Sequence, residues 1–136
     1  MSSRMKNIVC CICALFAGAA LYILLRPDTY IATALARFDF LVQLQDKLKY
    51  IDCDFLRFYF PDFLWAFSLS CSLQAIFAPM KTGTFLCCIA ALLCGTVWEL
   101  FQYFGVIKGT GDWVDVLMYA LAAFASVIIQ IKEKVK

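Results

Sequence analysis

The 136-residue chain is 64% hydrophobic and only 16% charged, with a formal net charge of +2 and a mean hydropathy of +0.83. A soluble domain is far less apolar, and one this short buries the smallest share of its surface, so lipid must be the solvent for much of the chain. The near-neutral charge and the lack of a basic patch with interleaved aromatics exclude nucleic-acid binding, and the absence of histidine removes the commonest general base and metal ligand.

The first apolar run, Asn7 to Leu25, has Arg4 and Lys6 before it and Arg26-Pro27-Asp28 after it. At about 1.5 Å per residue it is long enough to cross a hydrocarbon core. Ala17-Gly18-Ala19-Ala20 could pass for a signal-peptidase site, but apolar sequence continues through Leu25 and stops at a charge, which predicts an uncleaved anchor. Cys10 and Cys13 in this run have CxxC spacing but no second ligand pair. With Cys11, Cys71, Cys87, Cys88 and Cys94, also in apolar runs, they read as small hydrophobes, and Cys53 stands alone in polar sequence, so neither a metal site nor a disulfide framework follows.

Between residues 28 and 54 apolar positions recur at Ile31, Leu35, Phe38, Leu41, Val42 and Leu48, with Arg37, Asp39, Asp46, Lys47 and Lys49 interspersed. That spacing predicts one amphipathic helix, too charged to span, lying along the membrane interface. Three more apolar runs predict spans at 61–78, 84–104 and 112–131. Pro61 suits the first turn of a helix and Asp62 its positive end. Strand-type alternation is absent, and segments this apolar must satisfy their own backbones in lipid. The predicted fold is all-α: a single polytopic membrane domain, 1–136, with four transmembrane helices and an interfacial helix between the first and second.

Basic residues near span ends set orientation. Arg4, Lys6, Lys81, Lys132, Lys134 and Lys136 fall on one side; Arg26, Arg37, Lys47, Lys49, Arg57 and Lys108 fall on the other. The counts are equal, but four of the second set lie in the long loop, where the rule weakens, so the short connections favour both termini in the cytoplasm. Asp62, Glu99, Gln102, Asp112 and Asp115 then share the outer face, with Lys108 and Arg57 as the available counter-charges. Capping accounts cheaply for Asp62 and Asp112. Glu99 sits toward the C-terminal end of its own helix, where the dipole disfavours an anion, and acids at membrane depth are functional by default. Glu99 and Asp115 are expected to act together while Asp112 mainly caps. Trp65, Trp98, Tyr103 and Trp113 read as an interfacial belt.

The order Glu99-x-x-Gln102, a Gly-containing loop, then Asp112-x-x-Asp115 opening a last apolar helix resembles the C-terminal half of VanZ-like membrane proteins, over about Trp98 to Ser126. Tyr119 stands where the family usually has Asn, Ala122 and Ser126 replace its small Gly positions, and Lys108 is the only basic residue in the loop. The resemblance implies a bacterial inner-membrane protein with an envelope role linked to antibiotic resistance, and no settled activity or cofactor. Three functions stay open on the residues alone. One is an acidic cluster of Glu99, Gln102, Asp112, Asp115, Asp62 and Lys108 that binds a lipid headgroup, a cation or a partner helix, with a membrane-protein partner or a homo-oligomer also open. The others are an intramembrane enzyme acting on a lipid-linked substrate and a small transporter or assembly subunit.

Overall fold

The computed structural model of the chain describes residues 2–26, 29–48, 50, 53–77 and 83–134, and every regular element among them is helical. The first apolar run forms α1 (Ser3–Leu25), and two short helices follow, α2 (Tyr30–Leu35) and α3 (Asp39–Leu48). A π-helical turn, Phe55–Tyr59, runs directly into α4 (Phe60–Phe77). The chain ends in α5 (Gly83–Tyr103) and α6 (Trp113–Lys134). The expected turn at Pro79 to Thr82 with its basic Lys81, the Asp28 start of the amphipathic segment, and Lys136 lie outside the described residues.

α4 is the central helix and packs against α1, α5 and α6, while α5 also packs on α6. The C-terminal end of α1, the π turn, the end of α5 and the start of α6 meet at one end of the bundle. At the other, Ser3 Oγ donates to Gln130 Oε1 at 3.0 Å. The helices therefore run up, down, up, down.

The bundle is apolar outside and polar or small inside. Phe16, Phe85, Leu86, Phe101 and Phe124 are exposed. The hydrophobic core is built from Ala66, Tyr119 and Ala122, flanked by Phe63, Phe67 and Leu92. Among the most completely buried side chains are Gln74, Asn7, Ser70 and Ser126. Gln74 Nε2 donates to Ser126 Oγ at 3.1 Å, linking α4 to α6, and Gln130 Nε2 donates to Asn7 Oδ1, linking α6 to α1. Small residues let helices approach closely and polar side chains bond across them, which is how bundles cohere where lipid removes the hydrophobic drive between helices. Ser3–Leu25, Gly83–Tyr103 and Trp113–Gln130 are long and apolar enough to cross a membrane. α4 is not among them, because Asp62, Ser68, Ser70, Ser72 and Gln74 dilute its apolar sequence.

Two expectations for the chain between α1 and α4 are corrected. The single amphipathic helix over 28–54 is two helices with a break at 36–38. Ala36 N–H and Phe38 N–H reach back only three residues, to Thr33 and Leu35, which closes α2 with tight turns. Asp39 then opens α3 and Lys47 lies in its last turn, each charge matched to its end of the dipole. Gln45 Nε2 ties α3 to the Ile23 carbonyl at 2.9 Å.

Pro61 does not open a fresh helix either. Helical backbone extends upstream through the π turn to Asp54, so Asp62 has no free helix N-terminus beside it. Proline removes the N–H that would bond the Arg57 carbonyl four residues back. Arg26 Nε takes that carbonyl at 2.8 Å and Arg26 Nη2 takes the Phe58 carbonyl at 3.0 Å. In return Arg57 Nε bonds the Leu25 carbonyl at 2.8 Å. This reciprocal clasp fixes the end of α1 against the π turn.

Candidate acidic cavity

A cavity of ≈450 Å³ opens at the end of the bundle where α1, the π turn, α5 and α6 meet. Asp62, Glu99, Gln102, Lys108, Asp112 and Asp115 all line it, so the structure brings together every residue expected at the site. Arg26 and Tyr119, which the sequence did not single out, line it as well. Arg57 is not part of this lining, since its guanidinium is engaged at Leu25; the cation supplied in its place is Arg26.

Glu99 is 6% exposed, yet its carboxylate is fully engaged. Asp112 N–H donates to Oε2 at 3.1 Å and Tyr119 O–H donates to Oε1 at 2.8 Å. The first bond places the carboxylate at the start of α6, whose positive end stabilises an anion. Glu99 thus serves the helix after its own. Of the partners expected for Glu99, namely Lys108, Arg57, Gln102, a bound cation or a proton, none of the three side chains bonds it; the Asp112 main chain just before α6 and the Tyr119 hydroxyl do.

Two glycines make this geometry possible. A Cβ on Gly111 would sit 2.7 Å from the Glu99 carbonyl oxygen and 2.7 Å from the Tyr103 nitrogen. The loop therefore lies flat on α5, and Asp112 N–H comes within reach of Glu99. A Cβ on Gly95, one turn before Glu99 on the same face of α5, would sit 2.4 Å from the Tyr119 ring. We expect Gly95→Ala to destabilise the protein by about 1–3 kcal/mol through overpacking. The effect should largely vanish in a Tyr119→Ala background, where no ring is displaced; thermal unfolding of the four variants in detergent checks the coupling.

Asp112 plays a local part. Its Oδ1 accepts Val114 N–H at 2.9 Å and its carbonyl accepts Asp115 N–H at 3.2 Å, an N-cap of α6. Asp62 and Asp115 differ: neither carboxylate has a hydrogen-bond partner among the described residues, and both face the cavity. The negative charge on Asp112, then burial and Asp115, push the Tyr59 phenol above its ordinary range, so it stays a proton donor at the cavity wall at neutral pH.

The four carboxylates share a wall without closing on a point. Among the described residues no three of Asp, Glu and Cys are grouped to hold a metal ion. All eight cysteines are free thiols; Cys71, Cys87 and Cys88 are buried among helices, and Cys11 Sγ lies 3.3 Å from Ser68 Oγ.

A second, larger hollow adjoins the first. This groove of ≈770 Å³ runs between α1 and α5 over α4, is lined mostly by apolar side chains, and shares Asp62, Trp98 and Tyr119 with the acidic cavity. Trp65 and Trp98, expected in an interfacial belt, line it and are about half exposed. No family model, curated protein or solved structure matches the chain.

Proposed function

We propose that the chain is a small four-span protein of the bacterial inner membrane, VanZ-like in its Glu99-x-x-Gln102 and Asp112-x-x-Asp115 pairs, whose acidic cavity binds the ammonium group of a membrane-lipid headgroup. The observation that carries this reading is the ≈450 Å³ cavity, which falls within the roughly 300–1,000 Å³ of small-ligand sites. Four carboxylates against Arg26 and Lys108 leave its wall net negative. Acids spread over a wall suit an extended organic cation better than a point ion. Asp62 and Asp115 carry the binding, because Glu99 and Asp112 already hold the start of α6.

We take α4 as the fourth span, since Gln74, Ser70 and Ser68 are buried and Leu69, Ile76 and Phe77 are exposed. In this reading α2 and α3 lie at the interface and both termini are cytoplasmic. In a background with the native cysteines replaced, a single cysteine at position 110 should react with an impermeant maleimide in intact cells, and one at position 82 should not. The reverse pattern inverts the topology.

Titration of the protein in a neutral maltoside detergent with glycerophosphoethanolamine, followed by calorimetry, tests the function. A nearby charge in a partly hydrated site contributes about 1 kcal/mol or more, so Asp62→Asn with Asp115→Asn should weaken binding at least roughly tenfold. Unchanged affinity in that double variant, at normal abundance and melting temperature, refutes the reading.

A further inference from the structure

We infer that the groove and the acidic cavity form one site for an intact amine-bearing glycerophospholipid, with an acyl chain in the groove and the zwitterionic headgroup in the cavity. This rests on the headgroup reading above and adds the chain, the phosphate and the direction of access. The two hollows are continuous in lining: Asp62, Trp98 and Tyr119 belong to both. The groove is flanked by exposed Trp65 and Leu69 of α4 and exposed Cys94 of α5, on an outer surface that is otherwise apolar. A ligand that arrives sideways from the bilayer meets the apolar groove before the charges. A ligand soluble in water would have no use for the groove.

The cavity also has the charge pattern of a zwitterion. Arg26 comes from the end of α1 and Lys108 from the loop between α5 and α6, while Asp62 and Asp115 come from α4 and α6. A guanidinium and an ammonium suit phosphate, and the two unpartnered carboxylates suit a primary ammonium. Arg26 has its Nε and Nη2 committed to the π turn, which fixes the plane of its fork in place. Moving a chain from lipid into the groove gains little hydrophobic free energy, since both media are apolar. The groove therefore sets access and orientation, and the headgroup sets the choice of lipid.

The experiment uses full-length protein in vesicles of phosphatidylcholine and phosphatidylglycerol doped with phosphatidylethanolamine that carries a diazirine in mid-chain. After irradiation, cross-linked peptides are mapped by mass spectrometry. Labelling is expected to concentrate on groove segments around Leu15, Leu69 and Cys94, and unlabelled phosphatidylethanolamine should compete roughly tenfold better than phosphatidylglycerol. Leu69→Trp with Cys94→Trp fills the groove from exposed positions. It should cut groove labelling several-fold while calorimetric binding of glycerophosphoethanolamine stays unchanged. Labelling spread evenly over the outer faces of α1, α5 and α6, or undiminished in the filled variant, overturns the proposal but leaves the headgroup reading intact. Equal competition by phosphatidylglycerol overturns the zwitterion assignment. Loss of glycerophosphoethanolamine binding by the wild-type protein itself would remove the headgroup reading beneath both.

Discussion

Glu99→Ala is expected to be the most destabilising single change at the site, by roughly 2–4 kcal/mol. It strands two donors, Asp112 N–H and Tyr119 O–H, and a buried donor left without a partner costs about 1–3 kcal/mol. Glu99→Gln should cost less than about 1 kcal/mol. Its amide oxygen can still accept Asp112 N–H, and its NH₂ can donate to the Tyr119 oxygen once that hydroxyl turns. Tyr119→Phe should fall between them, since it removes one bond and leaves the other. Thermal unfolding in a single detergent ranks the three. A Glu99→Ala protein as stable as Glu99→Gln would mean that the carboxylate does not hold the start of α6.

This ordering changes the meaning expected of Glu99→Gln. On the sequence, Glu99 and Asp115 are expected to act together, so that if the cluster is a binding site, neutralising either one should abolish its function. In the structure the two acids have different employments. Glu99 is 6% exposed and bonded on both oxygens, whereas Asp115 is half-buried, faces the cavity and is bonded on neither. Loss of binding should therefore follow Asp62 and Asp115 more than Glu99.

What the sequence reveals and what it hides have separate physical causes. Helices occupy the four apolar runs, three of them long and apolar enough to cross a membrane; a segment in lipid must satisfy its own backbone, and that constraint is local. The shared position of Glu99, Gln102, Asp112 and Asp115 was also legible, because each pair recurs on one helix face and a short loop joins the two. The partner of Glu99 was not, since spacing along one helix says nothing about the next. It was recoverable in principle: in an antiparallel hairpin the end of α5 must lie beside the start of α6. Tyr119 left a fainter trace, four residues after Asp115 and so on the same face. The role of Arg26 could not be read at all, because the carbonyls it serves lie 31 and 32 residues away. The break at 36–38 was hidden because apolar spacing continues across it, while the tight backbone bonds at Thr33 and Leu35 decide the geometry. Asn7, Gln74 and Gln130 stood in plain view inside apolar runs, where a polar amide is itself a sign of a helix-facing position.

Arg26→Met is expected to loosen the π turn and to change ligand preference in opposite directions for two probes. Methionine keeps an apolar stem but loses both donors to Arg57 and Phe58, a cost of about 2 kcal/mol once partial exposure is allowed for. Hydrogen exchange should rise across the amides of residues 55–60 more than across the rest of α4, because Pro61 leaves the Arg57 carbonyl with no ordinary helical donor. Arg26→Lys should rescue little of this, since a single ammonium cannot span two carbonyls in the fixed geometry of a guanidinium. The binding readout separates charge from collapse. Removing one of the two cations makes the cavity wall more negative, so ethylammonium should bind tighter, while glycerophosphoethanolamine, which carries a phosphate, should bind more weakly. A variant that merely unravels would lose both. Tighter binding of both probes would show that Arg26 only opposes the ligand, and the phosphate would then have to be assigned to Lys108 alone.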